Sequence, residues 1–158
     1  MEHALHLTGQ LEPRSAWKAE RCTIARSLDV LPTRSAFLIL REAFYGTTRF
    51  ADFADRVGIS EPVAASRLRE LVDQGLLERE DYQEPGQRTR QRYRLTDKGA
   101  ELFPVLVALM QWGDRWLDET GGPVELTHRS CGEPVELQLR CRAGHEVKPD
   151  QLDLARRS

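Results

Sequence analysis

A chain of 158 residues, 40% apolar and 30% charged, suffices for one domain of ordinary size with a small appendage and a solvated surface. No apolar run approaches the roughly 20 residues of a membrane helix. The start, Met1 to Arg21, lacks a basic segment leading into an apolar block, so no export signal is expected and a cytoplasmic location is. The net charge of −2 hides a basic run from Gln87 to Arg94 and acidic clusters around Glu78–Glu84 and Asp114–Glu125; a local basic patch matters more for phosphate than the whole-chain balance. Three cysteines, Cys22, Cys131 and Cys141, are too few and too scattered for a secreted disulfide scaffold.

Residues 1–16 are polar and irregular, and a flexible N-terminus is expected there. From Trp17 apolar residues recur at three- and four-residue steps through Cys22, Ile24, Ala25, Leu28 and Leu31, which predicts a helix broken at Pro32-Thr33. Ser35 to Tyr45 is apolar on most sides and predicts a central buried helix ended by Gly46. Thr48 is placed to cap a third helix with Phe50, Phe53, Ala54 and Val57 on its inner side, closed by Gly58 in a left-handed turn. Ser60 is placed to cap a fourth, with Pro62 in the first turn, running to about Gln74. Leu76–Arg79 and Gln91–Leu95 flank a Pro-Gly segment as in a hairpin with a long tip. Thr96 then opens a last long helix to about Thr120, with Pro104 in its second turn. Gly121-Gly122-Pro123 marks a boundary, after which alternation at Val124, Leu126, Val135, Leu137, Leu139 and Cys141 predicts short strands.

This order describes a fold that is mainly α with a small β-wing: a winged helix-turn-helix over 17–120, followed by a short β-rich appendage over 124–158. Such a fold presents its Ser60–Gln74 helix to a groove of double-stranded DNA. At about 100° per residue, Ala64, Leu68, Leu71 and Val72 face inward, while Pro62, Ala65, Ser66 and Arg69 face outward with Val63 at their flank. The outer face is small at its start, so backbone can approach a base pair. Arg69, or with a longer reach Arg67, has the fork geometry for a guanine edge; Ser66 suits a base or a phosphate. In the return strand Arg88, Arg90, Arg92 and Arg94 share one face, with Tyr93 and Leu95 on the other. A row of guanidiniums suits phosphate oxygens, and it equally suits an edge strand guarded against aggregation. Arg92 has a glutamate within reach on the opposing strand, Glu78 or Glu80, so Arg88 and Arg90 near the tip are the better phosphate candidates.

The chain resembles the HxlR-type family of bacterial winged helix-turn-helix regulators. The matching residues are Cys22, Leu38-Ile39-Leu40-Arg41-Glu42, Arg49-Phe50, Gly58-Ile59-Ser60 and Arg67-Leu68-Arg69-Glu70-Leu71. Gly75-Leu76-Leu77-Glu78-Arg79, Tyr93-Arg94-Leu95-Thr96, Gly99, Pro104-Val105-Leu106 and Trp112-Gly113 complete the set. The resemblance spans about residues 20–117. It implies a homodimer formed by the first and last helices and bound to a two-fold operator. It carries DNA contacts onto Ser60, Val63, Ser66, Arg67 and Arg69, and wing contacts onto Arg88 and Arg90. The chain departs from the pattern at Ser35, where tryptophan is usual, and at Glu61-Pro62, where Pro-Lys is common. Ala64 and Ala65 replace the common Leu and Ser. A phosphate-binding lysine is thus absent from the helix start, and the operator does not carry over.

Cys22 matches a cysteine that some members use to sense oxidants. Arg21, Arg26 and its helix N-terminus would favour the thiolate, whereas a small buried hydrophobe is the plainer reading. His128-x2-Cys131 and Cys141-x3-His145 have the donors for a structural zinc, or mark a plain hairpin with incidental cysteines. Tails in this family resemble zinc ribbons, but Gly144 stands where a second cysteine would. A small-molecule effector between the wing-side core and the long helix would meet Phe44, Trp112 and Trp116, residues equally suited to a dimer core. Rival readings are a protein–protein adaptor on a winged scaffold and a cysteine-based redox regulator. No phosphate loop, nucleophile elbow or metalloprotease helix is present, so no enzyme is expected.

Overall fold

The computed structural model describes residues 4–12, 22–83, 86 and 90–156. In chain order the elements are β1 (His6–Leu7), α1 (Thr23–Val30), α2 (Arg34–Phe44), α3 (Phe50–Val57), α4 (Glu61–Asp73), β2 (Leu77–Tyr82), β3 (Arg90–Leu95), α5 (Asp97–Ala100), α6 (Phe103–Trp116) and β4 (Asp153–Leu154). They fall into two units, Arg26–Gly121 and Met1–Ala25 with Gly122–Ser158.

The larger unit is a winged helix-turn-helix, as the periodicity predicts. Helices α2, α3 and α4 pack on one another and on the β2–β3 hairpin. Ile39, Leu40, Phe53, Leu68, Leu71 and Leu77 are fully enclosed between them; burying each such side chain stabilises by about 1.5–3 kcal/mol. Thr33 starts α2 by accepting a hydrogen bond from the Ala36 N–H at 3.2 Å. At the end of α2 the buried Glu42 carboxylate accepts from Arg41 Nη2 at 2.7 Å and from the Thr47 hydroxyl at 3.3 Å. Arg56 on α3 donates to the same Thr47 hydroxyl at 2.7 Å. That chain of bonds compensates the buried charge and fixes α3 against α2. Gly58, at φ 68° and ψ 41°, makes the left-handed turn into α4. The Ile59 N–H returns to the Ala54 carbonyl at 3.1 Å, which closes α3 with a Schellman motif.

The wing is antiparallel, with Glu78 opposite Arg94, Glu80 opposite Arg92 and Tyr82 opposite Arg90. Tyr93 and Leu95 pack against the core as the alternation requires, and Tyr93 meets Phe53 edge to face with centroids 6.1 Å apart.

Five expectations are corrected. Thr48 does not cap α3: its carbonyl accepts the Tyr93 N–H at 2.8 Å and Arg49 bridges Arg92, so residues 48–49 run along the sheet edge and the helix begins one residue later. Ser60 stands before α4 without a side-chain cap bond; Pro62 at the second helical position has no N–H to offer it. The last helix is two, because Pro104 likewise leaves the Ala100 carbonyl without an N–H donor and the chain turns through Glu101-Leu102 before α6. Residues 4–12 are not irregular: β1 pairs in parallel with β4, His6 Nδ1 lies 2.8 Å from Asp153 Oδ1, and Leu11 is buried. The tail forms two tight turns closed by single bridges, Thr127 to Pro134 and Arg140 to Glu146, in place of extended strands. Val135, Leu137 and Leu139 stay exposed there; about 35 residues bury too little apolar surface to hold longer ladders. Trp17 and Arg21 lie outside the described residues.

Candidate nucleic-acid interface

Helix α4 turns Ala64, Leu68 and Leu71 fully inward, which leaves Pro62, Val63 and Arg69 exposed on the far side. Val72 is half-buried against the core. Ser60 is exposed at the entry, its hydroxyl uncommitted to the helix. The exit of α4 is held by Lys98, whose Nζ donates to the Gln74 carbonyl at 2.5 Å, a cation at the negative end of the helix.

The candidate reading residues are not equally available. Ser66 donates to Glu70 Oε1 at 3.0 Å, and Arg67 Nη1 pairs with Glu70 Oε2. Arg67 Nε is buried without a partner among the described residues. The Arg67 hydrogen bond is the chief cause holding the Glu70 carboxyl below the usual glutamate range; burial opposes it and Ser66 assists. With that pKa depressed, the pair is intact at neutral pH and loosens only as pH falls through the lowered value. Glu70 therefore ties down two of the three side chains expected to read bases and leaves Arg69 exposed. This role of Glu70 is signalled in the sequence by its three-residue spacing from Arg67 on one helix, a signal that the outward-face reading of the helix passes over.

The wing is sorted in the same way. Glu80 Oε2 accepts from Arg92 Nε at 2.7 Å and lies 3.2 Å from Arg94 Nε, so this acid draws in two of the four arginines. Arg92 also lies 5.8 Å from the Tyr82 ring centroid. Arg90 is exposed at the start of β3; Arg88 lies outside the described residues. Arg49, exposed and bridging Arg92, brings one more cation beside β3, a residue without a DNA role in the sequence reading.

The tail does not assemble its predicted donor set. His128 Nδ1 lies 3.1 Å from Cys131 Sγ at one turn, and the Cys141 N–H donates to the His145 carbonyl at the other. Among the described residues no three His, Cys, Asp or Glu side chains converge as a metal site, so the zinc reading does not fit this arrangement. Cys22 is half-buried one residue ahead of α1. Phe44 packs on Phe103 at 5.0 Å, while Trp112 and Trp116 are exposed. No helix among the described residues is long and apolar enough to cross a membrane.

Residues 30–121, over half of the chain, match the family described as HxlR-like helix-turn-helix. An uncharacterised helix-turn-helix type transcriptional regulator of Mycobacterium tuberculosis is 42% identical over 127 residues, 79% of this chain and 79% of that one. The crystal structure of PA1607, a proposed transcription factor, is similar at a TM-score of 0.77 and 36% identity over 95% of this chain and 100% of that one. The redox regulator HypR in its reduced form is similar at a TM-score of 0.55 and 26% identity, over 61% of this chain and 94% of that one. With a recognition-type helix beside a basic wing, and with these relatives, the chain belongs to the HxlR-like helix-turn-helix family and is a transcriptional regulator.

Proposed function

We propose that the chain acts as a homodimer on a two-fold DNA operator, with α4 in the major groove and the wing on the adjacent backbone. The observation that carries this reading is the exposed surface of α4, small at Pro62 and Val63 and ending in the free-standing Arg69, on the same unit as a wing that exposes Arg90. Two-fold symmetry sets the two reading helices about 34 Å apart, one turn of duplex. Ser60, Ser66 and Arg67 complete the contact surface, with Arg88 extending the wing contact, and Pro62 stands where a lysine would otherwise meet a phosphate. Selecting bound sites from random DNA tests the reading. A recovered inverted repeat supports it; recovery of unrelated sequences at every stringency overturns it.

Two variants separate the roles. Arg90→Ala lowers affinity for operator and random duplex by the same factor and flattens the dependence of log K on log salt by about 1.8, one phosphate contact per subunit and two per dimer. Arg69→Ala lowers operator affinity roughly 30- to 20,000-fold, the range of two arginine–base contacts, one per half-site, and leaves random duplex nearly unchanged. Equal losses on both duplexes for Arg69→Ala remove its base-reading role. Both effects are read by fluorescence anisotropy at several salt concentrations.

Glu70→Gln frees Arg67 and removes a negative charge from the reading helix. Affinity for random duplex rises about 3- to 10-fold and the salt dependence steepens by about 1.8, one added phosphate contact per subunit. The ratio of operator to random affinity falls, because the freed arginine finds phosphate on any sequence. A loss of affinity on both duplexes instead assigns Glu70 to holding Arg67 in its DNA-bound pose.

A further inference from the structure

The register of the wing sets Glu78, Glu80 and Tyr82 of β2 directly opposite Arg94, Arg92 and Arg90 of β3. Directly opposed residues, and residues two apart, share a face of a hairpin. These six side chains therefore lie on the face turned away from Tyr93 and Leu95, which pack on the core. The two acids of that face are not used alike. Glu80 Oε2 lies 2.7 Å from Nε of Arg92, its direct partner, and 3.2 Å from Nε of Arg94, its diagonal one. Arg94 thus passes over Glu78, the acid directly opposite it. The Tyr82 ring centroid, 5.8 Å from the Arg92 guanidinium carbon, holds that arginine as well. All three ionic side chains keep roughly a third to a half of their surface in solvent, so the cluster is within reach of a phosphate but already occupied.

We propose that Glu80 is a positioning residue of the DNA contact. It keeps Arg92 and Arg94 turned along the wing and off the phosphates of a random duplex, and so holds non-specific affinity down. A carboxylate fixed on the neighbouring strand offers both guanidiniums charge-assisted bonds in ready-made geometry. A phosphate gains the same donors only by separating both pairs. The inference rests on the reading of the chain as a two-fold DNA binder, and it deepens that reading by naming what limits the cations the wing can use.

The test is the salt dependence of binding to a random-sequence duplex, read by fluorescence anisotropy on the full chain. Glu80→Gln keeps the shape of the side chain and removes its charge. It steepens the dependence of log K on log salt by about 3.6, which is 0.9 for each of four arginines freed in a dimer, and raises affinity at low salt roughly tenfold or more. Glu78→Gln removes the same charge from the same face and frees neither arginine, so its steepening stays below about 1.8. Adding Arg92→Gln and Arg94→Gln to Glu80→Gln lowers the slope by about 3.6, back to the wild-type value. Beside an intact Glu80 the same pair of substitutions moves the slope by less than half as much, a coupling that independent charges do not give. Glu80→Thr, a good strand former, serves as a second variant should the glutamine amide still hold Arg92. Equal steepening in the Glu78 and Glu80 variants, unchanged slopes in both Glu80 variants, or weaker binding in both overturns the positioning role and leaves the DNA reading standing. A wild-type chain that binds no duplex at any salt concentration overturns the DNA reading and this role with it.

Discussion

Replacing Gly99 with alanine is expected to destabilise the fold by about 3 kcal/mol, and helix propensity alone predicts the opposite sign. Gly99 lies within α5 at ordinary helical backbone angles, where alanine is intrinsically better by about 1 kcal/mol. The decisive term is contact. A Cβ at Gly99 would stand 2.0 Å from the Leu76 carbonyl oxygen and 3.2 Å from Leu95 Cδ2. The first neighbour is backbone and already engaged, since the Leu76 carbonyl accepts the Thr96 N–H at 3.1 Å. Thr96 in turn donates its hydroxyl to the Gly75 carbonyl at 2.7 Å and accepts from the Gly99 N–H at 3.0 Å. Relieving the clash separates α5 from the end of α4 and the start of β2. Overpacking costs about 1–3 kcal/mol, and each hydrogen bond lost adds about 1 kcal/mol. Thermal unfolding of Gly99→Ala should shift down by about 10 °C at the size scaling for such chains. A rise in the midpoint would show that α5 does not sit against Leu76. Because Leu76 joins the reading helix to the wing, DNA affinity should fall in the same variant even where it remains folded.

The helix-turn-helix and its wing were legible because each rests on one dominant signal. Ala64, Leu68 and Leu71 repeat at helical spacing, Tyr93 and Leu95 alternate, and Gly58 allows the turn. What was not legible depended on competition between partners. Thr48 and Arg49 have an acceptable capping sequence, but the sheet edge takes their backbone. Ser66 and Arg67 have the right chemistry for DNA, but Glu70, one turn away, takes their donors. The four wing arginines alternate onto one face, yet Glu80 engages two of them. In the tail, alternation without enough mass to bury it produced bridged turns. Periodicity reports which face is apolar; it does not report which of several acceptors a polar side chain chooses.

Replacing Trp112 and Trp116 together with glutamine is expected to turn a dimer into a monomer and to weaken operator binding about 10²- to 10⁴-fold. Val105, Leu109, Trp112 and Trp116 follow one another at helical spacing along α6, and their exposures are 45, 53, 56 and 68%. Such a stripe costs solubility unless something covers it. A second copy of the chain is the proposed occupant, since about a two-fold axis perpendicular to α6 the helix meets its own image antiparallel and the stripe is then self-complementary. Losing about 100 Å² of apolar contact per ring, at roughly 25 cal/mol per Å², removes about 10 kcal/mol over four rings as an upper bound. A dimer in the usual affinity range does not survive that loss. Because both rings are exposed in the single chain, their replacement should leave its melting behaviour at low concentration nearly unchanged. Glutamine adds no charge, so the electrostatic attraction of each wing for DNA is preserved. What disappears is the linkage of two half-sites, worth about 10²–10⁴ in affinity, so random duplex is affected far less than operator. Light scattering should give the mass of one chain for the double variant and of two for the wild type. A wild-type chain that is monomeric at micromolar concentration, or a variant that stays dimeric, would place the two-fold contact elsewhere.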